Sequence, residues 1–589
     1  AFYLPVPSTL VERDVNKFAA LRCAALLPQQ RQPRFQSAGA ASSLRLVAYS
    51  RVELGCGWIG VIRVARFSVA NRIYLEVFGR ANMRIDKFFC VAAVGGILAM
   101  AGAVFALFWG DILDAIIVKE KVLTPTSRAF KLWRRPQVPI QWSITLFNWT
   151  NAEAFLARKA AKPTFSEVGP FRYSETLEKV DARFNTKNST ISYRRRSFFN
   201  PDDLLDEVLL TRRVTNLNVV ALTAANRGKS EGYGIERGIS FALYNLEQKV
   251  LVTQQAGELL FDGYREPMIG EMLEVLGATP QYGQDVEDRF GWFRAVNGSK
   301  KFHGFFNMNT GKEDASRYGL IRQWNYRDRA AFGRGRCGLY DGFAGELFPT
   351  KIRHDQALRM FMMELCRAVS FEFDREEEVH GVLGYRFVAN ERTMDDVCFE
   401  DKEFLPRGVI NVTDCEDGAP LFASYPHFFA ADERYAAEME GMHPDGERHQ
   451  SFVTIEPKTG TVLRSSIRLQ INALLQRYSG VALYQDAPRS YVPLLWYSKS
   501  FDLPQEEAIK LRSLLDVSQL GYLGGFAVAG LGLVVTLLAI GLRCAVRRTH
   551  KKARLNAGGQ QRPTSNGDTR GDYEFVQNEQ NKDKDRIKL

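Results

Sequence analysis

Four cysteines, Cys337, Cys366, Cys398 and Cys415, are separated by 28, 31 and 16 residues, which leaves metal binding and disulfide bonding as their two chemistries. No pair has the C-x-x-C spacing of a structural zinc site. In an oxidising compartment the four thiols form two disulfides, in one of three connectivities. Four Asn-x-Ser/Thr sites, at Asn148, Asn188, Asn297 and Asn411, offer glycan attachment in that same compartment.

Catalytic chemistry finds little support. Gly228-Lys229-Ser230-Glu231-Gly232 matches the G-x-S-x-G of a nucleophile elbow, which needs a strand before it and a helix after it. It is read here as a Gly-rich loop. His443 and His449 lie six apart beside Asp445 and Glu447, a spacing that fits neither one helical face nor a zinc motif, so both are expected in a solvated loop. Arg570-Gly571-Asp572 has the form of an integrin ligand, but the topology below puts it in the cytoplasm. Neither an enzyme nor a cofactor is expected.

The elements that position these residues are set by two apolar runs. Leu520 to Leu542 is 23 residues without a charge, and Phe88 to Trp109 is 22. At about 1.5 Å per residue the longer run spans roughly 35 Å, enough to cross a hydrocarbon core about 30 Å thick. Both are read as transmembrane helices. Arg80, Arg84 and Lys87 precede the first, and Arg543, Arg547, Arg548, Lys551, Lys552 and Arg554 follow the second. Basic flanks stay in the cytoplasm, so both termini are placed there and residues 110–519 face the outside or a lumen. Gly95, Ala99 and Ala103 on one helix, and Gly521, Gly525 and Ala529 on the other, let helices approach closely, within the chain or in a homo-oligomer.

The net charge of +11 divides unevenly. Residues 1–82 carry 11 basic and 4 acidic side chains and residues 543–589 carry 12 and 6, which leaves 83–542 at −2. The basic excess therefore sits beside the membrane, where it suits anionic lipid rather than nucleic acid. The first methionine is Met83. Residues 1–82 are read as a non-native or disordered extension and 83–87 as a short cytoplasmic N-terminus.

Within residues 110–519 short β-branched and aromatic segments, such as Ser451–Ile455, Val462–Leu469 and Val481–Tyr484, are bounded by Pro and Gly turns and read as antiparallel strands. Helical periodicity appears between Pro201 and Tyr264, where Leu204, Leu205, Val208 and Leu209 share a face, as do Leu243, Leu246 and Val250. Ordered blocks run through this segment. They include Leu146-Phe147-Asn148-Trp149-Thr150-Asn151, Glu167-x-Gly169-Pro170-Phe171-x-Tyr173, Gly384-Tyr385-Arg386-Phe387, Gly418-Ala419-Pro420, Pro426-His427-Phe428, Ile455-Glu456-Pro457-x-Thr459-Gly460 and Arg468-Leu469-Gln470-Ile471-Asn472. Together they resemble the class B scavenger receptor family. The resemblance implies a mainly β fold with some α: a large antiparallel β-barrel ectodomain carrying an apical helical bundle at about 200–264, anchored by two transmembrane helices. It implies the pairs Cys337–Cys398 and Cys366–Cys415. It also implies a receptor that binds lipids, fatty acids, sterols or lipoproteins and passes them through a tunnel toward the bilayer. Arg212, Arg213, Arg227, Lys229, Arg237 and Lys249 are the candidate apical contacts for anionic ligands. The alternative is a protein-binding receptor of the same fold, for hydrolase transport or recognition of apoptotic cells and microbes.

The polar segment 543–589 reads as a disordered cytoplasmic tail. In it Tyr573-Glu574-Phe575-Val576 fits the pattern read by endocytic adaptors, and Ile587-Lys588-Leu589 suits capture of a terminal carboxylate by a PDZ domain. Cys544 at the membrane edge is a candidate for palmitoylation. These features favour the plasma membrane, with the lysosomal or endosomal membrane as the alternative.

Overall fold

The computed structural model describes residues 87–557 except 204, 206, 276–287, 331–337 and 395–404. The expectations for residues 1–86, Cys337, Cys398, Tyr573, Val576, Ile587 and Leu589 lie outside the described residues. Two compact units are present. One runs from Gly110 to Ser518; the other comprises the described residues up to Trp109 and those from Gln519 onward.

The wall of the first unit is a sheet of eleven strands: β1 (Ile140–Trp149), β2 (Phe165–Asn185), β3 (Thr190–Pro201), β4 (Phe305–Asn309), β5 (Ile321–Trp324), β6 (Leu358–Met362), β7 (Arg367–Val379), β8 (Val382–Val388), β9 (Phe452–Glu456), β10 (Thr461–Leu475) and β11 (Ser490–Asp502). Their order is β6-β7-β8-β9-β10-β11-β1-β2-β3-β4-β5, antiparallel throughout. Every neighbour is thus a neighbour in sequence except β11 with β1. The two end strands are joined by a short segment: Ile321 N–H donates to Gly342 O, and Phe343 exchanges hydrogen bonds with Arg359 O and Phe361 N–H, each at 2.9 Å. This stitch pairs the edges of β5 and β6 and nearly closes the sheet into a barrel, which removes the exposed edges that invite aggregation. A hairpin, Val409–Asn411 with Leu421–Ser424, attaches to β10.

Six helices are numbered in chain order: α1 (Lys87–Lys121), α2 (Arg128–Arg134), α3 (Val219–Glu231), α4 (Tyr233–Asn245), α5 (Met268–Val275) and α6 (Gln505–Ala557). Asn218 caps α3 by accepting from Ala221 N–H at 3.1 Å, and its amide reaches Gln248 Oε1 at 2.7 Å. Gly232, at φ +98°, breaks the chain between α3 and α4, a conformation costly for any side-chain-bearing residue. Gly228-Lys229-Ser230-Glu231-Gly232 is therefore the end of one helix and the corner before the next, not the loop expected; Ser230 stands at the C-terminal end of α3 and not in a strand-to-helix turn, so no nucleophile elbow is formed. The helices dock on the β10–β11 connection. Tyr478 Oη donates to Asn226 at 3.0 Å, and Gly480 N–H donates to Glu236 at 3.1 Å. Val481–Tyr484, expected as a strand, lies in this connection, and residues 482–484 form a 3-10 turn there.

The turn at Glu456-Pro457-Lys458-Thr459-Gly460 shows why those residue types recur together. The Glu456 carboxylate accepts from Lys458 and Thr459 N–H at 2.9 and 2.7 Å. A Cβ on Gly460 would sit 2.0 Å from Pro349 O, so only glycine fits at φ +66°.

In the second unit the α1 and α6 segments are long and apolar enough to cross a membrane. They pack antiparallel through small residues. A Cβ on Gly102 would lie 2.5 Å from Ala529 N, and one on Gly532 2.4 Å from Ala99 N. Thr536 Oγ1 donates across the pair to Ala92 O at 3.3 Å. The contact stripe is Gly95, Ala99, Gly102 and Ala106 rather than a strict four-residue repeat through Ala103, because 3.6 residues per turn carries the face backward. Helix α6 continues past Leu542 to Ala557, further than the apolar run. Residues 543–557 hold Arg, Lys, Ala and Leu, all good helix formers, and the first glycine comes at Gly558.

Candidate functional site

A cavity of about 340 Å³ lies inside the barrel wall. That is within the range of small-molecule sites. Side chains of α2, of the Pro136–Ile140 entry to β1, and of β2, β3, β4, β5, β6, β10 and β11 reach it. The alternation of a strand puts Glu175, Leu177 and Lys179 on one face of β2, and Tyr193 and Arg195 on one face of β3. Most of the wall is apolar: Leu177, Met360, Met362, Ile467 and Phe501 are typical. Trp133, on α2, closes one side. Ser127 caps that helix by accepting from Phe130 N–H at 3.2 Å, and the Trp133 ring meets Tyr193 edge-on at 4.8 Å.

Paired charges stand along this apolar wall. Glu346 accepts from Lys179 Nζ and, at 3.0 Å, from Arg195 Nη2. Burial pushes the Glu346 carboxyl up, but the two cations outweigh it and hold it below the usual carboxylate value. Lys179 has no solvent exposure, and burial lowers its ammonium against the pull of Glu346; its Nζ lies 5.4 Å over the Trp133 ring. A second pair joins Lys499 to Glu364, with Lys499 Nζ also 4.7 Å over the Trp142 ring. Glu175 accepts from Trp142 Nε1 at 2.8 Å. None of these residues was marked by sequence reasoning. The one available signal is the period-2 face of β2, on which Lys179 interrupts apolar positions.

The second cluster is histidine. His427 Nε2 and Glu167 Oε1 are 3.0 Å apart, and Trp496 Nε1 donates to that same oxygen at 2.6 Å. The His427 and His449 rings stack at 4.6 Å and 17°. His443 N–H donates to His427 Nδ1 at 3.1 Å, and Asp445 N–H donates to His449 Nδ1 at 2.9 Å. His443 is exposed, as expected of a loop residue, but His449 is fully buried. The expectation of a solvated His449 fails because β11 and the Pro426–Phe428 turn fold over it. The stacked rings do not converge on a point, and among the described residues no group of His, Cys, Asp or Glu side chains could hold a metal ion.

Cys366 and Cys415 form a disulfide with Cα atoms 6.1 Å apart. Asn188 and Asn297 are exposed; Asn148 and Asn411 are half-buried, and Asn148 Oδ1 accepts from Thr215 N–H at 2.9 Å. The six basic candidates do not converge. Arg212, Lys229 and Lys249 are exposed. Arg213 donates to Thr253 O, and Arg237 donates to Tyr233 Oη and Gly480 O. Arg227 is turned toward Asp417 and Gly418. The strands Arg213–Leu217 and Leu251–Gln255 pair with Arg213 opposite Gln255, so Arg212 and Lys249 flank opposite ends, roughly 20 Å apart at about 3.3 Å per residue. Cys544 is an exposed free thiol on α6.

Three relatives are informative. Protein peste of Drosophila melanogaster is 31% identical over 456 residues, covering 75% of this chain and 80% of that protein. Human Lysosome membrane protein 2 is 29% identical over 441 residues, with 73% and 89% covered. Scavenger receptor class B member 1 of Cricetulus griseus is 28% identical over 422 residues, with 70% and 80% covered. A CD36 family model matches residues 93–543, which takes in most of the first membrane segment, the apolar run of the second and the whole barrel between them. The chain belongs to the CD36 family, the class B scavenger receptors.

Proposed function

We propose that this protein is a membrane receptor that takes up lipid, or the lipid of lipoproteins, and holds it in the barrel cavity on the way to the bilayer, and that it is not an enzyme. The cavity carries the proposal: it is mostly apolar and inside a barrel whose chain leads into membrane-spanning helices. Each CH₂ transferred from water to such a wall gains about 0.8 kcal/mol, so a long acyl or sterol chain is held without crossing water. Both termini are cytoplasmic in this reading and the barrel faces outward, at the plasma membrane or in a lysosomal lumen. Arg212, Arg213, Lys229, Arg237 and Lys249 are exposed and offer positive charge to anionic ligands. The test is transfer of a fluorescent lipid into liposomes bearing the full-length protein, with Leu177→Trp filling the cavity. Loss of transfer with normal folding supports the proposal; unchanged transfer overturns it.

A second reading, a receptor for a protein partner, draws on α4. Tyr233, Phe241 and Tyr244 are 72, 67 and 80% exposed, an unusual density of aromatic surface for one helix. If Phe241→Asp and Tyr244→Asp abolish ligand capture while lipid transfer persists, this reading is preferred.

A further inference from the structure

We infer that α6, where it continues past the membrane, holds a polyphosphorylated lipid headgroup of the phosphoinositide class on a basic seam made by Arg543, Arg547, Lys551 and Arg554. The seam prolongs the packing face of the membrane pair. Inside the apolar run that face of α6 carries Gly525, Ala529, Gly532 and Thr536, each set against α1. At about 100° per residue, Arg543, Arg547, Lys551 and Arg554 fall on the same side, within an arc of roughly 80°. Arg543 keeps the alignment, with its guanidinium 5.9 Å over the Phe89 ring of α1. Helix α1 begins at Lys87, so the seam past Arg543 runs beyond the described span of its partner, and Arg547, Lys551 and Arg554 are exposed.

Charge and reach together decide the ligand. Between Asp516 and Asp568 the sequence has no acidic residue, so nothing on this stretch of α6 offsets the seam, and its complement is an anion from outside the helix. Counted from Leu542 at about 1.5 Å per residue, Arg543 and Arg547 stand roughly 2 and 8 Å beyond the apolar run, and Lys551 and Arg554 roughly 14 and 18 Å. The headgroup layer on one side of a bilayer is only about 5 to 8 Å deep. A phosphodiester at that level meets the first two side chains. The outer two stand above it, where phosphate monoesters carried on an inositol ring meet them. Basic residues that served topology alone would need no common face, because that rule counts charge over the whole flank. Arg548 and Lys552 provide the comparison: they point away from the seam, at about 140° and 180° from Arg543.

The experiment measures binding of a fluorescent phosphatidylinositol bisphosphate, by energy transfer, to the full-length protein in phosphatidylcholine nanodiscs at physiological salt. Such a disc exposes both leaflets, so the result does not depend on how the protein is oriented in a cell. Arg547→Gln with Lys551→Gln should weaken binding about 25-fold, each basic side chain near an anionic headgroup being worth about fivefold. Arg548→Gln with Lys552→Gln removes the same charge at nearly the same height and should weaken binding less than about threefold. Both variants keep four of the six basic side chains between Arg543 and Arg554, which preserves topology. Phosphatidylserine at equal total charge should bind at least about tenfold more weakly than the bisphosphate. Equal losses for the two pairs, or equal binding of the two lipids, would leave only diffuse attraction to a charged surface and would overturn the inference. So would soluble inositol trisphosphate binding as tightly as the lipid, since a site set at the bilayer edge gains from the anchored headgroup.

Discussion

Acidifying the barrel domain from pH 6.5 toward pH 4 should remove stability through one side chain, His449. Burial, then the neighbouring His427 and Arg448 charges, push its imidazole from 6.5 down to about 4. Its surroundings offer little relief. His427 stacks on it at 4.6 Å, Trp496 meets it edge-on at 5.8 Å, and Asp445 N–H donates to its Nδ1. Protonating Nδ1 breaks that hydrogen bond and places a cation in a dry stack; Asp445 and Glu167 are the carboxylates that favour the charged form, with Glu167 already engaged by His427 and Trp496. In the unfolded chain the ring takes up its proton near pH 6.5, so between 6.5 and 4 the unfolded state binds more protons than the folded one. Stability is therefore full above about pH 6.5 and is lost as pH falls through that window, levelling off near pH 4. A gap of about two and a half units at 1.36 kcal/mol each gives about 3 kcal/mol, taken as an upper bound because hydration on opening softens it. For a domain of about 400 residues this lowers the melting temperature by roughly 3 to 4 °C. The assay is thermal unfolding of the solubilised full-length protein across this range, alongside His449→Asn, which keeps an acceptor near the Nδ1 position but does not titrate. The variant should be less stable at neutral pH and flatter below it. Equal slopes for the two proteins between pH 6.5 and 4 would refute the reasoning.

The Cys366–Cys415 bond closes a loop with a sequence separation of 49, so Cys366→Ser should cost about 4 kcal/mol by chain entropy, read as a lowered unfolding midpoint under non-reducing conditions. Non-reducing peptide mapping should also find Cys337 joined to Cys398; Cys337 joined to any other cysteine would refute that pairing. Gly102→Val forces a branched side chain against Ala529 and Gly525 and should loosen the helix pair by about 1 to 3 kcal/mol, while Gly96→Val, with open space around it, should not. Cross-linking between Ala92→Cys and Thr536→Cys, which face each other across the pair, reports the difference. Asn188 and Asn297, both exposed, should carry glycans, seen as a mass loss on deglycosylation that disappears in the Asn→Gln variants.

Sequence by itself determined the two membrane helices, because an apolar run of over 20 residues has few other solutions. It also determined the β character of the large domain and its family, since turn glycines and strand alternation are local signals. Gly460 and the Glu456 cap are legible at that level. The tertiary structure alone decided what each face meets. Lys179 and Glu346 are 167 residues apart, and His427 and Glu167 are 260 apart. A charge on an alternating strand reads as solvated until the partner strand arrives, so the paired ions of the cavity and the buried His449 were invisible along the chain. The barrel's closure is of the same kind: residues 342–343 carry no strand signal, yet they stitch β5 to β6. Backbone period fixes which way a side chain points, and only long-range packing fixes whether water or another charge waits there.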